Sequence, residues 1–299
     1  MSQPYPFSGK SSSYEEADYV VLGVPYDRTS SYRAGSRFAP SAIREASANI
    51  ETYSMRTGID VEDLRIFDAG DLNITDNPSE MTKRIQLVVG EIVSDGKIPV
   101  MLGGEHSISL GGVKGLGVGT TVVDFDAHMD LRNEYNDEPF SHASVMRRIS
   151  ERIGPDQIVQ IGIRAICKEE LEFSRANLMS TISALNIHKN PIESSLSVLR
   201  KMLDGRQSVY LSIDMDALDP AYAPAVGNPE ADGLSPHVLL SLVEEVCRQN
   251  VVAIDLTEVA PHYDSGATSV QAAKILFESL CCVERQRKQR AGNSSKTAP

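Results

Sequence analysis

The sequence predicts an α/β protein in which a parallel β-sheet carries helices on both faces. Short apolar runs rich in β-branched residues recur along the chain and alternate with segments of helical periodicity. Most of these runs are continuously apolar, which is typical of strands buried on both faces. Acids and histidines follow several runs directly, as expected where the carboxyl ends of parallel strands form a site.

Seven apolar runs are predicted as strands, and a weaker run is predicted as the eighth. Their length and their β-branched content distinguish them from the longer helical segments. In chain order the strands are expected at Asp18–Val24, Leu64–Asp68, Lys97–Leu102, Thr120–Phe125, Gln157–Ile163, Ser208–Ile213 and Asn250–Leu256, with the weaker run at Ser183–Ile187.

The helices are predicted from apolar residues that recur at helical spacing. For the helix at Val238–Cys247, Ser235 is the expected N-cap and Pro236 the first helical residue. The remaining helices are expected at Pro40–Ala46, Glu80–Ser94, Ser107–Leu116, Ser144–Ile153, Lys168–Arg175, Glu193–Leu203 and Val270–Cys282.

The domain organisation is predicted to be simple. No linker rich in Pro, Gly or Ser interrupts the middle of the chain, so residues 14–284 are expected to form a single domain. The polar segments 1–13 and 285–299 lack hydrophobic periodicity and are expected to be loosely ordered.

The charge of the chain restricts its partners. Against 41 acidic residues there are 29 Lys and Arg, which gives a net charge of −12. We therefore expect no nucleic acid and no membrane as partners, and instead a small cationic ligand. No apolar stretch is long enough to span a bilayer, and no secretory signal is visible. Cys281 and Cys282 are adjacent, which suits the reducing cytoplasm better than a disulfide framework.

Three clusters of acids and imidazoles come directly after three of the predicted strands. Residues two apart in an extended chain point the same way, so the members of each cluster can share one face. The clusters are His106 in one, Asp126, His128 and Asp130 in the second, and Asp214 and Asp216 in the third.

These clusters together predict a binuclear metal site. Taken singly, each has an ordinary structural interpretation as a loop cap or a structural histidine. Four clustered carboxylates, however, cannot all remain ionised without a strong cation nearby. Six ligands suit two ions about 3.5–4 Å apart that share bridging carboxylates. Oxygen and imidazole ligands without thiolates favour manganese-type ions and leave zinc and iron open.

The motifs resemble those of the ureohydrolase family, which contains arginases and agmatinases, and the resemblance is closest to agmatinases. It extends from about residue 18 to about residue 283. The matching motifs are GGEHS at 103–107, DAHMD at 126–130 and SIDMDALDP at 212–220, with GVPYD at 23–27, RFAPSAIR at 37–44 and IGIR at 161–164 beside them.

The resemblance implies a three-layer α/β/α fold around an eight-stranded parallel sheet, assembled as a homotrimer or homohexamer. It also implies two Mn²⁺ per subunit. By similarity, one ion would be held by His106, Asp126, Asp130 and Asp214, and the other by Asp126, His128, Asp214 and Asp216.

The resemblance further implies a hydrolase that acts on linear amidine C–N bonds. His142 matches the family's proton-shuttling histidine, and Glu258 matches the acid that binds the guanidinium. Asp130 is expected to orient the attacking oxygen and to take its proton. The pKa of an ordinary histidine, near neutrality, suits the expected role of His142.

The substrate is predicted from the acidic segment 131–141, which joins the metal motif to His142 and is expected to line the pocket mouth. An acidic wall repels a carboxylate and attracts an ammonium, so Glu134 is expected to contact the distal amine of agmatine. The predicted reaction converts agmatine and water to putrescine and urea, a step of polyamine biosynthesis. Aminopropylagmatine, guanidinobutyrate or arginine as substrate, and a non-catalytic polyamine-binding relative, remain alternatives.

Overall fold

A computed structural model describes residues 5–117 and 119–294 of the chain. Within them the strands are β1 (Tyr19–Gly23), β2 (Tyr53–Ser54), β3 (Ile59–Asp60), β4 (Ile66–Asp71), β5 (Ile98–Leu102), β6 (Thr120–Phe125), β7 (Ile158–Ile163), β8 (Ser180–Ser183), β9 (Ser208–Asp214) and β10 (Val251–Thr257). Eight of them form one parallel sheet in the order β4-β1-β5-β10-β9-β6-β7-β8, and β2 pairs with β3 in a separate antiparallel hairpin.

The helices cover both faces of this sheet. They are α1 (Ala39–Ser47), α2 (Pro78–Ser94), α3 (Ser109–Leu116), α4 (Val145–Ile153), α5 (Lys168–Ala176), α6 (Ala184–Lys189), α7 (Ile192–Leu203), α8 (Pro236–Val246) and α9 (Ala267–Ser294). One core cluster joins the sheet to α1, α7, α8 and α9, and a second joins the opposite face to α2, α3 and α4. The predicted three-layer α/β/α fold is confirmed.

Alternation along the strands explains why two cores form. In β9, Val209, Leu211 and Ile213 pack in the first cluster, whereas Tyr210 between them packs in the second. Successive side chains of a strand point to opposite faces, so a strand covered on both sides must be apolar at nearly every position. That requirement produced the continuously apolar runs in the sequence.

The central strands bring the predicted site together. β5 pairs with β10, β10 with β9, and β9 with β6. Because these strands are parallel, their carboxyl ends meet at one edge of the sheet. The residues that follow Leu102, Phe125, Asp214 and Thr257 therefore enter one region.

The predicted start of α8 is confirmed. The hydroxyl of Ser235 accepts a hydrogen bond from the N–H of Val238 at 3.3 Å, and Pro236 is the first helical residue. Such a cap stabilises a helix by about 1 kcal/mol relative to alanine. The helix is thereby fixed immediately after the loop that lies over the sheet edge.

The weaker eighth strand was predicted at the wrong position. The strand is β8, Ser180–Ser183, and the hydroxyl of Ser183 then caps α6 by accepting from the N–H of Asn186 at 3.2 Å. Ile187 is buried on this short helix. A few apolar residues within one or two helical turns cannot be distinguished from a short strand by periodicity.

The terminal segments are better packed than the sequence predicted. Phe7 is fully buried and contacts Phe277 edge to face, with ring centroids 5.4 Å apart. At the other end α9 continues to Ser294, and Arg287 on this helix donates a hydrogen bond to Asp18 at 3.1 Å. The expectation of loose order is wrong for Phe7 and for residues 285–294. Residues 1–4 and 295–299, which belong to the same prediction, lie outside the described residues.

None of the helices in the described part of the chain combines the length and the apolar composition that crossing a bilayer requires.

Candidate functional site

A first cluster of possible ligands joins three strand ends. His106 follows β5, Asp126 follows β6 and Asp214 ends β9, and together they form a group that could hold a metal ion. Nδ1 of His106 lies 3.1 Å from Oδ2 of Asp126 and 3.4 Å from Oδ2 of Asp214. All three side chains are buried.

A second cluster shares Asp126 with the first. Its other members are His128 and Asp216, whose Nδ1 and Oδ2 atoms lie 3.0 Å apart. Backbone amides fix the carboxylates, because Asp216 accepts from the N–H of Ala127 at 3.0 Å and Asp126 accepts from the N–H of His128 at 2.6 Å. The shared carboxylate places the two clusters side by side.

Asp130 completes the set of six side chains predicted from the sequence. Its Oδ2 lies 3.2 Å from Nδ1 of His106, and its backbone has a φ of 51°, in the left-handed region. A non-glycine residue in that conformation is uncommon and often marks a functional site. The structure thus brings all six predicted metal ligands to one place.

Two buried atoms test whether this place fits a metal ion. Nδ1 of His106 and Oδ2 of Asp126 have no hydrogen-bond partner among the described residues. Buried polar atoms are seldom left unpartnered, and a divalent cation takes electron pairs from both an imidazole and a carboxylate. The donor set therefore fits a bound metal.

The tautomer of His106 also fits. Ser212 donates its hydroxyl proton to Oδ1 of Asp255 at 2.7 Å, so its oxygen can only accept from Nε2 of His106, 3.0 Å away. Asp255 accepts additionally from Ser109 at 2.5 Å and from Tyr210. Nε2 therefore carries the hydrogen, and the lone pair of Nδ1 faces the cluster.

Sequence reasoning missed this supporting row, although a signal for it was present. Asp255 pairs in register with Ser212, Ser212 with Asp124, and Asp124 with Gln160 across the four neighbouring strands β10, β9, β6 and β7. All four residues are completely buried. Isolated polar residues inside otherwise apolar strands need partners, which is how the row could have been found.

The electrostatics of the cluster favour a cation. Burial and the charge of Asp126 raise the pKa of Asp130 to about 7. Burial, with Asp216 and Asp126 nearby, also raises the pKa of Asp214 well above its usual range. Neighbouring carboxyl groups resist ionisation because their negative charges repel one another, and a bound cation offsets this repulsion.

Glu258 follows β10 and lies beside the cluster. Its Oε1 accepts a hydrogen bond from the N–H of His106 at 2.8 Å, and its backbone φ of 66° is left-handed. Burial and the neighbouring Glu105 raise the pKa of Glu258 well above its usual range. This buried acid can therefore pair with a cationic group that enters the cavity.

A cavity of about 460 Å³ opens above the clusters. His142 and Glu258 line it together with His128, Asp130, Asp214 and Asp216. Burial, and to a smaller extent the neighbouring His128 and His106, lower the pKa of His142 to about 4. The sequence-based expectation of a near-neutral pKa for His142 is therefore wrong, because this side chain is buried within the cavity wall rather than exposed on a loop.

The structure places Glu134 away from the cavity. Its side chain is exposed and does not line the cavity wall. Asn136 and Asp137 adopt left-handed φ values of 52° and 61°, which reverse the chain in a tight turn. The structure therefore does not support the expectation that Glu134 faces the substrate, although Arg132 and Tyr135 of the same segment do line the cavity.

Another acid occupies the cavity wall instead. Glu230 lines the cavity, and its backbone oxygen accepts from Nη2 of Arg164 at 2.8 Å. Arg164 also donates to the backbone oxygens of Asp216 at 2.7 Å and Ala231 at 3.0 Å, which fixes the loop. The motif IGIR at 161–164 had marked this arginine only as part of the family resemblance.

Comparisons with known proteins agree with this geometry. The arginase family model matches residues 17–282. The agmatinase of Bacillus subtilis (strain 168) is 41% identical over 281 residues, which cover 92% of this chain and 94% of that protein. The N(1)-aminopropylagmatine ureohydrolase of Thermococcus kodakarensis is 38% identical over 270 residues, covering 89% of this chain and 91% of that protein.

A solved structure shares the whole fold. The crystal structure of agmatine ureohydrolase of Thermoplasma volcanium superposes with a TM-score of 0.89 at 40% identity, covering 95% of this chain and 96% of that one. The resemblance that the three motifs indicated is confirmed. The family match extends over nearly all of the sequence, and a relative at 41% identity aligns along 92% of it. The chain therefore belongs to the arginase family.

Proposed function

We propose that this protein hydrolyses agmatine to putrescine and urea at the cavity above the two clusters. The observation that carries the proposal is the pair of His/Asp clusters sharing Asp126, with the buried acid Glu258 beside them. Relatives named as agmatinases support agmatine as the substrate. One domain, residues 14–284, would carry the whole reaction.

We assign the metal ligands as the family resemblance implies. One Mn²⁺ would be held by His106, Asp126, Asp130 and Asp214, and a second by Asp126, His128, Asp214 and Asp216. The contacts of 3.0–3.4 Å within these sets and the unpartnered atoms of His106 and Asp126 support the assignment. When bound, such ions activate water and stabilise negative charge.

Glu258 would bind the guanidinium of the substrate. Its Oε1 is occupied by the N–H of His106, and a Cβ on Gly227 would lie 2.9 Å from its Oε2. The glycine therefore leaves room beside the carboxylate for a planar group. A guanidinium paired with this buried acid forms charge-assisted hydrogen bonds and holds the carboxylate ionised.

The proton transfers would use Asp130 and His142. The oxygen of water bonds to the guanidinium carbon while Asp130 accepts the water proton. The bond from that carbon to the chain-bearing nitrogen then breaks, this nitrogen receives a proton from His142, and the hydroxyl on the carbon releases the second water proton, which leaves urea and putrescine. The proton on Asp130 replaces the one that His142 delivered. Because its pKa is lowered to about 4, His142 is neutral at rest and must first receive the proton it delivers.

An acid in the cavity wall supports a substrate with a second positive charge. Glu230 is placed there, and its carboxylate would face the distal ammonium of agmatine. A carboxylate at that end, as in arginine or guanidinobutyrate, would be repelled. Aminopropylagmatine is a second candidate, since the cavity has a volume of about 460 Å³ and a relative at 38% identity is named for that substrate.

Urea release tests the proposal. The chain is loaded with manganese and assayed with agmatine, aminopropylagmatine, guanidinobutyrate and arginine under one set of conditions. We expect the highest kcat/KM with agmatine. A preference for arginine would refute the charge argument, and no urea from any of the four would refute the hydrolase assignment.

We also propose that the protein acts as a homotrimer or homohexamer in the cytoplasm. The exposed aromatic side chains of Tyr32, Phe38 and Tyr263 support association, because apolar surface of this kind often lies between subunits. The free cysteines Cys247 and Cys281 support a reducing compartment. Light scattering on the eluting protein would measure the mass of the assembly.

A further inference from the structure

A hydrogen-bonded chain connects the residue before His106 to the imidazole of His142. It consists of Glu105, Thr29 and His142, which come from three distant parts of the sequence. Glu105 and Thr29 have no part in the reaction proposed above. Thr29 does not line the cavity, and its hydroxyl contacts the imidazole of His142.

Glu105 determines the direction of the first hydrogen bond. Its side chain is completely buried and accepts from three donors. These are the hydroxyls of Thr29 at 2.7 Å and Ser107 at 2.6 Å, both on Oε1, and the N–H of Thr29 at 2.7 Å on Oε2. A hydroxyl has a single hydrogen to donate, and that of Thr29 is used on Glu105.

Thr29 can therefore only accept from His142. Its Oγ1 accepts the backbone N–H of His142 at 2.9 Å and lies 3.2 Å from Nδ1 of the ring. With no hydrogen left on the hydroxyl, the ring must supply one, and Nδ1 is protonated. In a neutral imidazole the other nitrogen, Nε2, then carries the lone pair.

One neighbouring hydroxyl favours the opposite tautomer. Ser141 Oγ lies 3.4 Å from Nδ1 and has a hydrogen available to donate to it. On the far side of the ring, Ser31 Oγ lies 3.4 Å from Nε2, where a donated hydrogen agrees with a lone pair on that atom. The shorter contact, with Thr29, favours protonation at Nδ1.

We propose that Thr29, fixed by Glu105, is a positioning residue that sets the tautomer and orientation of His142. Nε2 of the neutral ring then carries the lone pair. This nitrogen accepts a proton and later delivers it to the leaving nitrogen of the substrate. The same hydroxyl ties the backbone of His142 to the segment that contains Thr29. This inference rests on the proposed function only for what His142 does; the tautomer itself is a property of the folded protein.

The test compares Thr29→Val, which removes the hydroxyl, with Thr29→Ser, which keeps it. Ring ¹⁵N chemical shifts of histidine-labelled protein, loaded with zinc as a diamagnetic ion, report which nitrogen carries hydrogen. We expect Nδ1 protonation in the parent and in Thr29→Ser, and its loss in Thr29→Val. After manganese loading, Thr29→Val should lower kcat about 10–100-fold while KM and metal content stay within about twofold, and Thr29→Ser should restore most of kcat.

Three results would overturn the inference. The first is a parent protein whose His142 is protonated at Nε2. The second is a Thr29→Val protein that keeps both the Nδ1 tautomer and its kcat. The third is a tautomer that changes in Ser141→Ala and not in Thr29→Val, because Ser141 would then hold the ring.

Two further controls keep these outcomes separate. Thr29→Ala serves in place of the valine variant if the latter does not fold, with the same expected tautomer and kcat. If the parent releases no urea, the proposed function fails, whereas the ¹⁵N measurement on the same sample still decides what Thr29 does.

Discussion

Nδ1 of His106 lies 3.1 Å from Oδ2 of Asp126, and neither atom has a hydrogen-bond partner among the described residues. The two residues differ in the number of metal ions that each would bind. His106 belongs to one cluster, whereas Asp126 belongs to both. Removing one or the other should therefore have unequal effects on metal binding.

We predict that His106→Ala lowers the metal content from about two ions per chain to about one, and that Asp126→Asn lowers it below one. The reason is that Asp126 bridges the two clusters. Elemental analysis after manganese loading and gel filtration measures the ratio. Asp124→Asn is the matched control, because Asp124 is equally buried but bonded to Gln160 at 3.0 Å. Equal metal loss in Asp124→Asn and Asp126→Asn would contradict the assignment.

The metal cluster was predictable because strands impose rules that a sequence reveals. A two-residue period places Asp126, His128 and Asp130 together, and parallel strands place their carboxyl ends at one edge. The same regularity predicted seven strands near their observed positions. Where it is weak, as at Ser183, prediction failed and a helix was taken for a strand.

The surrounding residues were not predictable, because loops have no period. Thr29 contacts His142 across 113 positions of sequence, and nothing in either segment indicates that pairing. Glu134 and Glu230 both occur in polar loops, yet only Glu230 lines the cavity. Two consecutive left-handed residues decide the course of the chain after Glu134, and neither is a glycine.

We predict that Glu230→Gln raises the KM for agmatine about fivefold, the effect of losing one partly exposed ion pair of about 1 kcal/mol. The KM for butylguanidine, whose tail is neutral, should not change. Initial-rate kinetics with both compounds measure the difference. Glu134→Gln removes the same charge from a side chain outside the cavity and should leave both KM values unchanged. An equal rise in both KM values for Glu230→Gln would show that its carboxylate does not recognise the ammonium.

The lowered pKa of His142 should make stability depend on pH. Its pKa falls from 6.5 to about 4 on burial, so between these values the unfolded chain holds a proton that the folded chain lacks. Protons then favour unfolding, and the free energy of unfolding should decrease as the pH falls from 6.5 to 4, by about 3 kcal/mol for this group. Above pH 6.5 the group contributes no pH dependence.

His142→Asn, which cannot be protonated, isolates this contribution. Urea unfolding curves of the parent and the variant, recorded at several pH values between 4 and 8, give the difference directly. The variant should lose less stability over the acidic window. Parallel pH profiles for the two proteins would mean that His142 is not buried in its neutral form.

Two helical glycines should respond in opposite directions to the same change. A Cβ on Gly111, in α3, would lie 2.6 Å from Cβ of Ile85 and 2.8 Å from the backbone oxygen of Thr82 in α2. Gly111→Ala should therefore destabilise the protein by about 1–3 kcal/mol. On Gly90, in α2, the nearest atom is 3.7 Å away, so Gly90→Ala should stabilise by up to about 1 kcal/mol through helix propensity. Urea midpoints compare the two. Shifts of the same sign would show that α2 and α3 do not pack as closely as described. Because α3 begins just after His106, the packing of α3 against α2 also helps to fix this predicted metal ligand.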